Sequence, residues 1–165
     1  MKVYILLLLN LFFASKIKQV EELPLLKPTT NFKFEILDCI SMNDIDCPDP
    51  IILLRIRKKT EKNTVGDKIE QDELAISLAE KKDLQYYIMG EDKYWGYFEY
   101  NKRIVLVLGN NVEYFFTKTK TNRRFDFALS RPLKYQNDPP VSLHLSGCIY
   151  NFINGKFILF SNGMF

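Results

Sequence analysis

From residue 84 onward the chain falls into short runs of aromatic and β-branched residues, each ended by Gly, Asn or Asp, the pattern of strands joined by turns. "LQYYIM" stops at "GEDK", "YWGYFEY" at Asn101 and Lys102, "RIVLVLG" at Asn110 and Asn111, and "VEYFFTK" follows. "SGCIYNFI" and "KFILF" are separated by Asn154-Gly155, the pair that suits a type I′ turn because both of its central residues take positive φ. The spacing predicts an antiparallel meander. Pro132, Pro139 and Pro140 mark a longer loop before its last hairpin.

The first half adds two more strands to this expectation. "FKFEILDCI" alternates, with Phe32, Phe34 and Ile36 on one face and Lys33 and Glu35 on the other, as a half-buried strand does. "IILLRIR" is apolar on both faces at its start and turns basic at Arg55 and Arg57. Residues 67–83 are the exception. Asp67 stands three positions before Glu70 as in a capping box, and Glu, Leu, Ala and Lys favour helix, although Leu74, Ile76 and Leu78 alternate. One short helix is expected there. The whole reads as an all-β or β-rich chain, an antiparallel β-sandwich, with a small β-barrel as the alternative.

The N-terminus constrains the setting. "MKVYILLLLNLFFASK" runs from a lysine through an apolar stretch to Ala14 and Ser15, the order of a secretory signal peptide over residues 1–15, and the stretch falls short of the roughly 20 residues a membrane-spanning helix needs. Residues 16–31, with Pro24 and Pro28, read as an extended lead-in, and 32–165 as one β-rich domain. A hydrophobic fraction of 47% is enough for a core in a chain of 165 residues. The expected location is extracellular. A net charge of +3, less Lys2 after cleavage, does not predict nucleic-acid binding. Three cysteines in a secreted chain allow one intramolecular disulfide, and Cys39, Cys47 and Cys148 are all candidates for it.

Candidate chemistry is sparse. "CISMNDIDCPDP" places Asp44, Asp46 and Asp49 in one loop, with Asp38 just before it, and calcium takes six to eight oxygen ligands. The order strand, Asp-rich loop, Asp-Pro, strand resembles the first calcium loop of C2 domains, which are β-sandwiches that dock on phospholipid. That resemblance implies calcium as ligand and a lipid surface as partner; a matching second loop is represented only by Glu91 and Asp92. Turn-forming Asp and Pro make a solvated connection the stronger reading, so no cofactor is expected. The single histidine, His144, is four positions from Cys148, about 13 Å along a regular strand, which is too far for a nucleophile and base. A phosphate-binding glycine loop and a nucleophile elbow are both missing from the sequence.

Two surfaces remain. The basic stretches "RIRKKTEK" and "KTKTNRR" carry Arg55, Arg57, Lys118, Lys120, Arg123 and Arg124, which would make one cationic patch if folding joined them. Lysines at strand ends also serve simply to protect sheet edges. In "YWGYFEY", strict alternation puts Trp95 and Tyr97 on one face with Glu99, and Tyr94, Gly96, Phe98 and Tyr100 on the other, so Trp95 and Tyr97 could form an aromatic platform. The resulting expectation is a secreted, non-catalytic binding protein that engages an extracellular protein or glycan through an aromatic and basic surface. The alternatives are a C2-like lipid-binding module and a secreted hydrolase with a carboxylate site.

Overall fold

The computed structural model of the chain describes residues 19–40, 51–62, 68–79, 93–127 and 146–164. They form eight strands: β1 (Gln19–Pro28), β2 (Ile51–Lys62), β3 (Lys68–Ala79), β4 (Tyr94–Tyr100), β5 (Arg103–Gly109), β6 (Phe116–Phe127), β7 (Ser146–Ile153) and β8 (Lys156–Met164). Two 3-10 turns, η1 (Phe34–Cys39) and η2 (Val112–Tyr114), complete the described elements. The strands join in one sheet of order β6-β1-β4-β5-β2-β3-β7-β8. The chain is therefore β-rich as expected, but among the described residues the sheet does not close into a barrel.

The sheet is mixed, which corrects the purely antiparallel expectation. β2 lies parallel to β5 over Ile52–Ile56 and Val105–Gly109, and β1 touches β4 in parallel at Leu25 and Tyr97. The physical reason lies in the apolar runs. A strand covered on both faces needs side chains that are apolar in both directions, and "IILL" and "VLVL" supply them, so the two bury each other at the centre of the sheet. On one face Ile52, Leu54, Ile56, Val105 and Val107 enter a large core with Leu74, Ile76 and Leu78 of β3. On the other, Ile51, Leu53, Leu106 and Leu108 meet Leu23, Tyr94, Tyr97 and Phe125.

The large core is filled by rings. Phe32 lies 4.5 Å from Phe116 and 5.9 Å from Phe98, and Phe115, beside the edge strand β6, lies 6.0 Å from Phe157 of the opposite edge strand β8. Such a contact between residues at the two ends of the strand order requires the sheet to curl over this face. η1 and the residues around it lie on the same core, burying Phe32, Ile36, Leu37 and Ile40.

Several local expectations change for one reason, that tertiary burial overrides local pattern. "FKFEILDCI" is not a strand: at Phe34–Cys39 it winds into η1, because the curled face needs a cover and a tight turn brings Ile36, Leu37 and Ile40 to the same side. Residues 68–79 are strand β3, not helix; pairing with β2 on one side and β7 on the other, and burial of Leu74, Ile76 and Leu78 at period two, outweigh the helix-forming composition. Their carboxylates face lysines across the strands, Glu70 to Lys58 at 3.8 Å and Glu73 to Lys59 at 3.5 Å. The lead-in contains β1, and Val112–Tyr114 form η2 before β6 begins. The β4-β5 and β7-β8 hairpins stand where the turns at Asn101-Lys102 and Asn154-Gly155 place them, with φ of 49° and 62° in the first and 52° and 76° in the second. The signal segment 1–15, "LQYYIM" and the loop around Pro132–Pro140 lie outside the described residues.

Cys39 at the end of η1 is bonded to Cys148 of β7, with 6.4 Å between the Cα atoms and 109 residues between the partners in sequence. The bond ties the covering turn to the far half of the sheet. Reducing it, or making Cys39→Ala with Cys148→Ala, is expected to cost about 2–5 kcal/mol, read from the urea unfolding midpoint at unchanged slope. A loss below about 0.5 kcal/mol would mean that η1 is held by its apolar contacts alone.

Candidate functional site

The site begins with two prolines. Pro24 and Pro28 have no N–H to give a neighbouring strand, and β1 meets β4 at a single position, Leu25 with Tyr97. Beyond that point the strands part. The opening is a cleft of about 420 Å³ lined by Leu25, Leu26, Pro28, Phe34, Tyr97, Phe98 and Glu99. Phe34, at the start of η1, is half exposed and stacks on Tyr100 with centroids 5.7 Å apart and planes 5° from parallel.

At its other end β4 carries a bulge between Tyr94 and Gly96, where the register against β5 slips by one. Gly96 is required there: a Cβ would stand 2.5 Å from the Leu26 side chain and 2.7 Å from the Pro24 carbonyl oxygen. The bulge also separates the two residues expected to form a platform. Trp95 packs against the large core with Phe98, whereas Tyr97 is buried in the smaller core on the opposite face. Strict alternation fails at the extra residue, so Tyr97 is packing and Trp95 alone is half exposed.

The basic stretches also divide. Arg55 and Arg57 lie on β2 and Lys118, Lys120, Arg123 and Arg124 on β6, with β1, β4 and β5 in between. The strand order does not merge them into one patch. It does bring β6 to the aromatic residues. The Lys118 ammonium sits 4.4 Å from the centre of the Trp95 ring, close enough for a cation–π contact. Arg123 lies 5.4 Å over Phe125 and pairs with Glu99 at 3.5 Å, and Phe125 meets Tyr97 edge-on at 5.1 Å. Lys118, Lys120, Arg123 and Arg124 are exposed along the edge of the sheet. Phe34 and Glu99 are the contributors that sequence reasoning missed; the paired prolines of β1 were the available signal for an opening beside them.

Asp44, Asp46, Asp49, Cys47 and His144 lie outside the described residues, and among the described residues no group of three or more His, Cys, Asp or Glu side chains could hold a metal ion. Asp38 instead accepts a 2.5 Å hydrogen bond from the Tyr100 hydroxyl. Glu99 is the one carboxylate among the cleft's lining residues.

Tyr100 and Tyr150 both have raised pKa values, Tyr100 first through its hydrogen bond to Asp38 and then through burial, and Tyr150 through burial and then the Asp38 charge. Folding thus favours the neutral phenols. Their contribution is complete below the ordinary tyrosine value of about 10 and is lost as pH rises through the higher folded values. Urea midpoints between pH 8 and 11 should therefore fall at the alkaline end, and Tyr100→Phe should flatten that fall while lowering stability at pH 8 by up to about 1 kcal/mol.

No family model, no curated protein and no solved structure matches the chain.

Proposed function

We propose that this chain is a secreted, non-catalytic binding protein that engages an acidic extracellular partner, protein or glycan, through the aromatic and basic surface formed by β4, β1 and β6. The observation that carries this reading is the Lys118 ammonium held 4.4 Å over Trp95, on a strand whose other exposed cations continue the same edge. A cation on a ring presents charge and a flat apolar surface at one place, which suits sulfated or carboxylated sugars as well as acidic side chains. The neighbouring cleft gives an extended ligand somewhere to lie, with Phe34 at its rim and Glu99 beside it.

Secretion is supported by the basic, apolar and small-residue order of residues 1–15 and by the Cys39–Cys148 bond, which fits an oxidising compartment. No helix among the described residues is long and apolar enough to cross a membrane. In this reading the sheet is a scaffold whose two ends lie over one core as the layers of a sandwich do, with the contact between Phe115 and Phe157 in support.

The test is binding to immobilised sulfated glycans and, separately, to acidic peptides, over a range of salt. Lys120→Glu with Arg124→Glu should weaken binding at least tenfold and reduce its salt dependence, and Trp95→Ala should weaken it without changing the salt slope. Binding to one probe class alone identifies the partner type. Failure to bind either, or binding that none of these variants alters, would overturn the reading.

A further inference from the structure

The two edges of the sheet are built differently. The β6 edge bears four exposed cations within seven residues, Lys118 to Arg124, and such charge discourages another strand from adding. The β8 edge bears the opposite. Ile158, Leu159 and Phe160 are consecutive, and they are 51%, 47% and 62% exposed. Asn151 faces Ile158 and Tyr150 faces Leu159 across the ladder, so neighbouring apolar side chains stand on both faces of the sheet at this edge. β8 has no strand on its outer side among the described residues. Charge that would guard this edge is almost missing: between Lys156 and Met164 only Lys156 is charged, at the first position.

We propose that β8 pairs antiparallel with β8 of a second copy of this chain, making a two-fold dimer whose sheet continues through the interface. The register follows from the hairpin. A two-residue turn is closed by a hydrogen-bonded pair, here Ile153 with Lys156, and such pairs alternate with pairs whose backbone groups point outward. Phe157 and Leu159 then turn their N–H and C=O groups to the free side. Two copies can satisfy all of these groups by setting Phe157 against Leu159 of the second copy and Leu159 against its Phe157, which places Ile158 opposite itself on the two-fold axis.

The charges select the antiparallel setting of the two copies. In that register the two Lys156 side chains are four residues apart, about 13 Å along the strands, and each lies opposite Phe160 of the other copy. A parallel arrangement in register would set lysine against lysine. The register irregularity of the β7-β8 ladder falls at Phe160, so regular pairing ends there and the interface is short and apolar, flanked by the Lys59 ammonium 5.4 Å over the Phe160 ring.

The experiment is light scattering on the size-exclusion peak of the secreted full chain, from about 1 to 100 μM, in a Cys47→Ser background that removes thiol-linked species. The expected result is a dimer that dissociates on dilution. Ile158→Lys should give a monomer at every concentration with an unchanged melting temperature of the dilute protein, and Lys120→Glu, on the opposite edge, should leave the dimer intact. Ile158→Cys should form a disulfide-linked dimer under mild oxidation, because the residue faces itself. A monomeric parent at 100 μM, or a dimer that survives Ile158→Lys, would overturn the proposal.

Discussion

The parallel pairing of β2 with β5 is the interaction on which the rest of the structure depends. Its residues are apolar in both directions, Ile52, Leu54 and Val107 to one face and Leu53, Leu106 and Leu108 to the other, and nearly all of this surface leaves water. Burying a side chain of this size contributes about 1.5–3 kcal/mol, so leaving either face bare is not tolerable. The remaining elements act as covers. β3 and β7 extend the sheet outward, the aromatic set of Phe32, Phe98, Phe115 and Phe116 fills the curled face, and η1 lies over it.

The candidate site follows from this arrangement as a departure from regular structure. A sheet whose centre is tightly paired can accept one poorly paired seam, and Pro24 and Pro28 put that seam between β1 and β4. The cleft opens there, the β4 bulge turns Trp95 to the same face as Lys118, and Gly96 allows β1 to approach closely just before the strands separate. Pairing defects thus create the surface while the core holds them in place.

Charge is distributed with similar economy. Along β2 and β3 the lysines face carboxylates across the ladder, and the exposed pair of Lys58 with Glu70 contributes little to stability. Along β6 the cations line an edge of the sheet beside a tryptophan. The same residue type therefore neutralises one surface and defines another, and only the neighbouring strand distinguishes the two.

Sequence pattern alone was sufficient for the β-rich class, for the β4-β5 and β7-β8 hairpins and for the doubly apolar start of β2, because turn chemistry and side-chain periodicity are local properties. It was not sufficient for Leu74, Ile76 and Leu78, whose neighbours favour helix, nor for Phe34–Cys39, which alternates like a strand. Both are decided by what must be covered. Nor could it tell which of three cysteines pair, that Trp95 and Tyr97 part at a bulge, or that Lys118 belongs with Trp95 while Arg55 and Arg57 do not. Those outcomes depend on the strand order, in which residues far apart in sequence become neighbours, and strand order is fixed by the burial of the whole chain at once.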